Sequence, residues 1–161
     1  AAAALGLESG IAFPQLIAGP EGEVWVVECA ARIGGLMAEH VRHALGIDLL
    51  ELQIRLALGE EIPADLVRAR FRRPTAVRFL TAEPGPLATG RVRRVGPLDR
   101  VLAAPGVVVA ELFVQEGEVI QPVMRVSDRR GWVIAVAETR DEALARAEAA
   151  SLLVDIELEA R

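Results

Sequence analysis

Three residue types are missing altogether. The 161 residues include no lysine, no asparagine and no tyrosine, so all 18 basic residues are arginines. Without lysine there is no Schiff-base amine, no phosphate-loop lysine, and no attachment point for biotin or lipoate. A lone cysteine, Cys29, forbids an internal disulfide and a multi-cysteine metal site, and it points to a reducing, cytoplasmic location. Positive charge is in deficit: 23 acids outweigh the arginines and the net charge is −5, which argues against nucleic acid as a partner. No apolar run approaches the roughly 20 residues that span a bilayer, and the alanine-rich opening has no basic n-region of a signal peptide. Only three serines are present, none in a G-x-S-x-G elbow, so a serine hydrolase has no support. What remains is a chain of one ordinary domain's length that is 52% apolar and 25% charged, enough to build a core.

The opening Ala1–Leu5 reads as a helix end capped by Gly6. The chain starts without methionine, and the expectation is a piece of a longer protein. Gly10–Ala18 (GIAFPQLIA) is a strand that Pro14 confines to an edge or bulge. GPEG (19–22) is a hairpin turn, and Glu23–Cys29 (EVWVVEC) is the strongest strand, apolar nearly throughout and so expected to be central and covered on both faces. A glycine pair then leads into a helix at Leu36–Leu45, closed by Gly46. Asp48 caps a second helix running to Leu58. The charged stretch Glu60–Arg73, with Pro63 and four arginines at its end, is the expected boundary, giving domains 1–66 and 67–161. Beyond it, strands are expected at Thr75–Ala82, Arg91–Val95, Val107–Val114, Trp132–Ala137 and Asp155–Leu158, with a short helix at Leu98–Ala104. Asp128–Gly131 (DRRG) reads as a hairpin turn after the extended Val119–Val126. A helix over Arg140–Leu153 opens with a Thr139/Glu142 capping box and carries a packing face of Leu144, Ala147, Leu152, Ala143 and Ala150.

Two polar residues stand out on the apolar hairpin. Glu28 ends a strand of Val and Trp, where a desolvated carboxylate without a partner costs several kcal/mol. Arg32 can pair with it structurally, or Glu28 can ligate a metal beside an anion-binding arginine; the pattern leaves both open. Gln15 lies across the turn, either as an ordinary edge amide or as a second oxygen donor for Mg²⁺, provided that strand parity puts both side chains on one face. Gly34 and Gly35 form a plain turn or a backbone cradle for an anion. His40 and His43 have near-metal spacing but no third ligand, which favours a structural or solvent role. Cys29 is expected to be an inert core thiol, and Arg68–Arg73 a solvated linker.

The run GIAFPQLIAGPEGEVWVVECAARIGGLMAEHVRHALGIDLLEL resembles the C-terminal end of the catalytic core of ATP-grasp ligases. There, a strand ending in Glu-x-Asn-x-Arg and a glycine turn follows a strand bearing an acidic metal ligand. The tail from FRRPTAVRFLTA through DRRGWVIAVAETRDEALARAEAA resembles the C-terminal lobe of the carboxylate–amine ligase branch, which includes dipeptide-type amino acid ligases and relatives of carbamoyl phosphate synthase and biotin carboxylase. Gln15 then falls on the first metal position, Glu28 on the second, Ala30 on the asparagine and Arg32 on the arginine.

The resemblance implies an α+β fold: a β-hairpin and helices ending an ATP-grasp core, then an antiparallel-sheet lobe with a packed helix. It implies ATP and Mg²⁺ as cofactors, with Glu28 and Gln15 as metal ligands, Arg32 as the catalytic residue, and Gly34 and Gly35 on the nucleotide side. The implied partners are small-molecule carboxylate and amine substrates, the N-terminal remainder of the same enzyme and, as an option, a second copy; no nucleic acid or membrane is implied. The superfamily's ATP-binding lysines lie upstream, so this piece alone is expected to be inactive. The alternative is a non-catalytic dimerisation or docking module with a degenerate metal site. FVQEGEVIQPV also resembles half of a biotinyl or lipoyl hammerhead, but the missing lysine removes that function.

Overall fold

The computed structural model describes residues 2–160. It divides into two compact units, Ala1–Arg72 and Arg73–Arg161. Among the described residues no helix is long and apolar enough to cross a membrane.

In the first unit, a short 3₁₀ turn at Ala3–Leu5 ends on Gly6 in the left-handed region. The hairpin follows, with β1 at Phe13–Ala18 and β2 at Val24–Ala30 running antiparallel. The Gly19 N–H donates to the Glu23 carbonyl (2.9 Å) and Gly22 takes φ +85° to close the turn. The hairpin is a sheet of two strands only. Val24, Trp25, Val26 and Val27 are each 54–58% exposed, so β2 is not covered on both faces as its composition suggested. An apolar strand records that burial is favoured but not which element supplies it.

Helix α1 (Met37–Leu45) ends where the Gly46 N–H donates to Arg42. Helix α2 (Leu49–Ala57) starts on Asp48, whose carboxylate accepts from Leu50 N (3.0 Å) and Glu51 N (3.1 Å). Those two bonds satisfy N–H groups that a helix start leaves without partners. The same carboxylate pairs with Arg42 at 2.7 Å. The chain returns so that the Arg70 N–H reaches the Leu45 carbonyl (2.9 Å).

The second unit holds nearly all the buried apolar side chains. Its strands are β3 (Thr75–Phe79), β4 (Gly90–Val95), β5 (Val107–Leu112), β6 (Val119–Ile120), β7 (Gly131–Val136) and β8 (Ile156–Leu158). One antiparallel sheet has the order β3-β7-β5 and another the order β6-β4-β8. The short helix α3 (Asp99–Leu102) inserts the fully buried Val101. Helix α4 (Arg140–Ser151) packs on β3 and β7. Leu80, Val92, Val101, Ile120, Val133 and Ala150 sit in one core.

Three local expectations change. The buried face of α4 is Ala143, Ala147, Ala150 and Ser151, at i, i+4, i+7 and i+8, whereas Leu144 and Leu152 are 44% and 69% exposed. Alanines let the helix lie close to the sheet, and the leucines fall one position, about 100°, round the helix. The Thr139 hydroxyl accepts from Glu142 N (3.2 Å), but the Glu142 carboxylate turns to Arg146 (2.6 Å), so only half of the capping box forms. Asp128–Gly131 is not a hairpin turn, because β7 pairs with β3 and β5 while β6 pairs with β4. Instead Asp128 accepts from Met124 N and Arg125 N, both at 2.9 Å, and pins a 3₁₀ turn at Val126–Asp128. Those two bonds hold its carboxyl below the usual range.

Candidate functional site

The hairpin register determines what the two polar residues do. From the turn, Ala18 opposes Val24, Ile17 opposes Trp25 and Leu16 opposes Val26. Continued unbroken, that register would set Gln15 against Val27 and put Glu28 on the other face. It breaks between Gln15 and Leu16, and Gln15 opposes Glu28. Val27 is the extra residue of a β-bulge, a device that re-aims side chains at the expense of one ladder pairing. Gln15 and Glu28 therefore share a face, and Gln15 Nε2 donates to Glu28 Oε1 at 2.6 Å. Both side chains are solvent-exposed.

Arg32 does not pair with Glu28. Its Nη1 donates to the Ile33 carbonyl at 3.0 Å, so the guanidinium folds over its own loop. The partner of Glu28 is Gln15, and the structural Glu28–Arg32 ion pair is absent among the described residues.

The loop is shaped by packing. Gly34 is buried, and a Cβ placed there would lie 2.8 Å from the Phe13 ring and 2.8 Å from Met37 Cγ. Gly35 is exposed with open space where a Cβ would go. Leu36 then adopts φ +59°, a left-handed conformation uncommon for a branched side chain, immediately before α1. Pro14, which the sequence marks as an edge or bulge position, sits one residue from the break; no sequence signal marks the Leu36 backbone. The Phe13–Gly34 contact is foreshadowed only by the glycine itself.

His40 and His43 lie on α1 without assembling a metal site. Burial holds His40 below the ordinary imidazole range, opposed by its bond to the Leu36 backbone and reinforced by His43. His43 Nε2 approaches Glu39 at 3.8 Å. Among the described residues no group of three or more His, Cys, Asp or Glu side chains is placed to hold a metal. The Gln15–Glu28 pair offers only oxygen donors and one formal negative charge. That donor set fits a single hard cation which brings its other ligands with it.

Residues 78–159 match the profile of a family described as L-amino acid ligase C-terminal domain 2. The chain belongs to that family. Its fold is shared with part of each of two solved structures. Phosphoribosylglycinamide synthetase from Anaerococcus prevotii superposes with a TM-score of 0.79 at 20% identity, over 98% of this chain and 39% of that one. L-amino acid ligase from Bacillus licheniformis gives 0.79 at 21% identity, over 99% of this chain and 40% of that one. A curated relative, the uncharacterized protein y4rH of Sinorhizobium fredii (strain NBRC 101917 / NGR234), is 34% identical over 119 residues. The aligned region is 73% of this chain and 23% of the relative, so the chain spans less than a quarter of that relative's length.

Proposed function

We propose that this L-amino acid ligase family member is the C-terminal part of an ATP- and Mg²⁺-dependent carboxylate–amine ligase that works through an acyl phosphate. Residues 1–66 would end the catalytic core and 67–161 would form the C-terminal lobe. The observation that carries the reading is local. A bulge sets Gln15 and Glu28 on one face, and four residues beyond Glu28 comes an arginine on a glycine turn.

In this reading Glu28 is the main oxygen ligand for Mg²⁺ and Gln15 the weaker one. The bound cation would neutralise charge on the phosphoryl group in transfer. Arg32 supplies a planar fork of donors to the substrate carboxylate and to the acyl phosphate made from it. Swinging off the Ile33 carbonyl would free it, since Arg32 is exposed and that is the one bond its guanidinium makes among the described residues. Gly34 and Gly35 present backbone N–H groups toward the phosphate side. The amine then attacks the activated carbonyl and phosphate leaves. By itself the chain would hold ATP poorly, since no lysine is present to grip the phosphates. The lone cysteine supports a cytoplasmic setting.

A second reading, a docking module with a degenerate metal site, draws on Ala30 and on the neutral Gln15. Kinetics of Arg32 variants in the full-length ligase separate the two. Losing a charge-assisted bond to the reacting group is expected to lower turnover about 10²–10³-fold, for Arg32→Lys nearly as much as for Arg32→Ala, because lysine keeps the charge but not the fork. Near wild-type turnover of a well-folded Arg32→Lys variant, with melting unchanged, would remove Arg32 from the reaction.

A further inference from the structure

We infer that Gln15 keeps the Glu28 site from capturing a bare divalent cation, so that the cation enters only with anionic ligands of its own. This rests on the reading of Glu28 as a metal ligand. Three observations support it. The position opposite Glu28 holds a neutral amide, which removes one negative charge from a site that the bulge has otherwise assembled. The amide N–H is already committed to the carboxylate at 2.6 Å, a short charge-assisted bond that a cation must displace. The residue two positions beyond Glu28 is Ala30, which has no side-chain oxygen, and no third acidic or imidazole group completes a ligand set among the described residues. Divalent-cation affinity at oxygen sites scales with the charge of the ligands. An exposed single carboxylate sharing its charge with an amide therefore stays empty until phosphate oxygens arrive with the metal.

The test is titration of this chain with Mn²⁺ alone, reading free Mn²⁺ by electron paramagnetic resonance. Gln15→Glu restores the second charge and is expected to bind Mn²⁺ at least about tenfold more tightly than wild type. Gln15→Ala removes the competing amide bond without adding charge and is expected to bind Mn²⁺ more tightly than wild type but clearly less tightly than Gln15→Glu. Adding Glu28→Gln to Gln15→Glu should abolish the gain. Far-ultraviolet circular dichroism confirms that each exposed substitution leaves the fold intact. If wild type binds Mn²⁺ as tightly as Gln15→Glu, and Glu28→Gln abolishes both, the inference is overturned while Glu28 stands as a ligand. A gain by Gln15→Ala equal to that of Gln15→Glu also overturns it, because charge would not be the cause. If Gln15→Glu binds nothing, Glu28 is no ligand, and the underlying reading falls with the inference.

Discussion

The two glycines of the loop after β2 look alike in the sequence and differ in what surrounds them. At Gly34 a methyl group would press on the Phe13 ring and Met37, and overpacking of this kind costs about 1–3 kcal/mol. At Gly35 the space is open. Gly34→Ala is therefore expected to lower the denaturant midpoint of the first unit, while Gly35→Ala stays within about 0.5 kcal/mol of wild type. Equal effects in urea titrations would mean that Phe13 does not hold the loop. This scale also marks the limit of what sequence can tell. Gln15 and Glu28 were visible as polar residues on an apolar hairpin, and a four-residue GPEG loop, with Ala18 opposite Glu23, sets them on one face, as the structure does. The route differs: Ala18 pairs with Val24, one residue further on, and the Val27 bulge beside Pro14 restores the shared face. Whether Arg32 pairs with Glu28 was left open by the pattern, because a spacing of four in a loop fixes no direction, whereas on a helix it does.

Elements were more legible than the contacts between them. Helix α2 was expected from its Asp48 cap and terminal glycine, and both perform those roles. The bonds from the α2 backbone, Glu51 N first, and the Arg42 guanidinium hold the Asp48 carboxyl below its ordinary value. A carboxyl lowered in the folded state adds stability above its unfolded pKa, and that stability is lost as pH falls through the folded value. Acid melts run from neutral pH down to about 3 should thus weaken α2 in wild type. Asp48→Asn keeps a capping oxygen and should flatten this acid dependence, and Asp48→Ala should cost about 1 kcal/mol even at neutral pH. An unchanged acid slope in Asp48→Asn would show that other carboxylates carry it. Strand positions in the second unit were also readable from β-branched runs. Their pairing was not, because DRRG has turn composition whether or not the strands on either side of it are neighbours. On α4 the expected small-residue face is buried at Ala143, Ala147 and Ala150, while Leu144 and Leu152, expected with them, stay exposed, since close approach favours the small side chain.

Across the molecule, stability is distributed unevenly. Leu52 is the one buried hydrophobic residue of the first unit among the described residues, whereas Leu80, Val92, Val101, Ile120, Ile134 and Val133 are buried in the second. Amides of β3, β5, β7 and α4 are expected to exchange hydrogen slowest, and those of β1 and β2 much faster, because local opening follows the density of buried apolar contacts. Hydrogen exchange with mass spectrometry checks this, and hairpin protection equal to that of β7 would contradict it. The apolar hairpin that carries Gln15 and Glu28 is thus largely exposed in this chain, as a binding element is expected to be. The central claim is that this family member serves a ligase that activates a carboxylate as its acyl phosphate. The most direct measurement follows oxygen: the full-length enzyme is given ATP, an amine and an amino acid whose carboxylate oxygens carry a heavy isotope. One labelled oxygen should appear in the inorganic phosphate for each amide bond formed, because the acyl phosphate passes that oxygen from carbon to phosphorus. Amide formation with unlabelled phosphate, or ATP cleavage independent of the amino acid, would contradict the account.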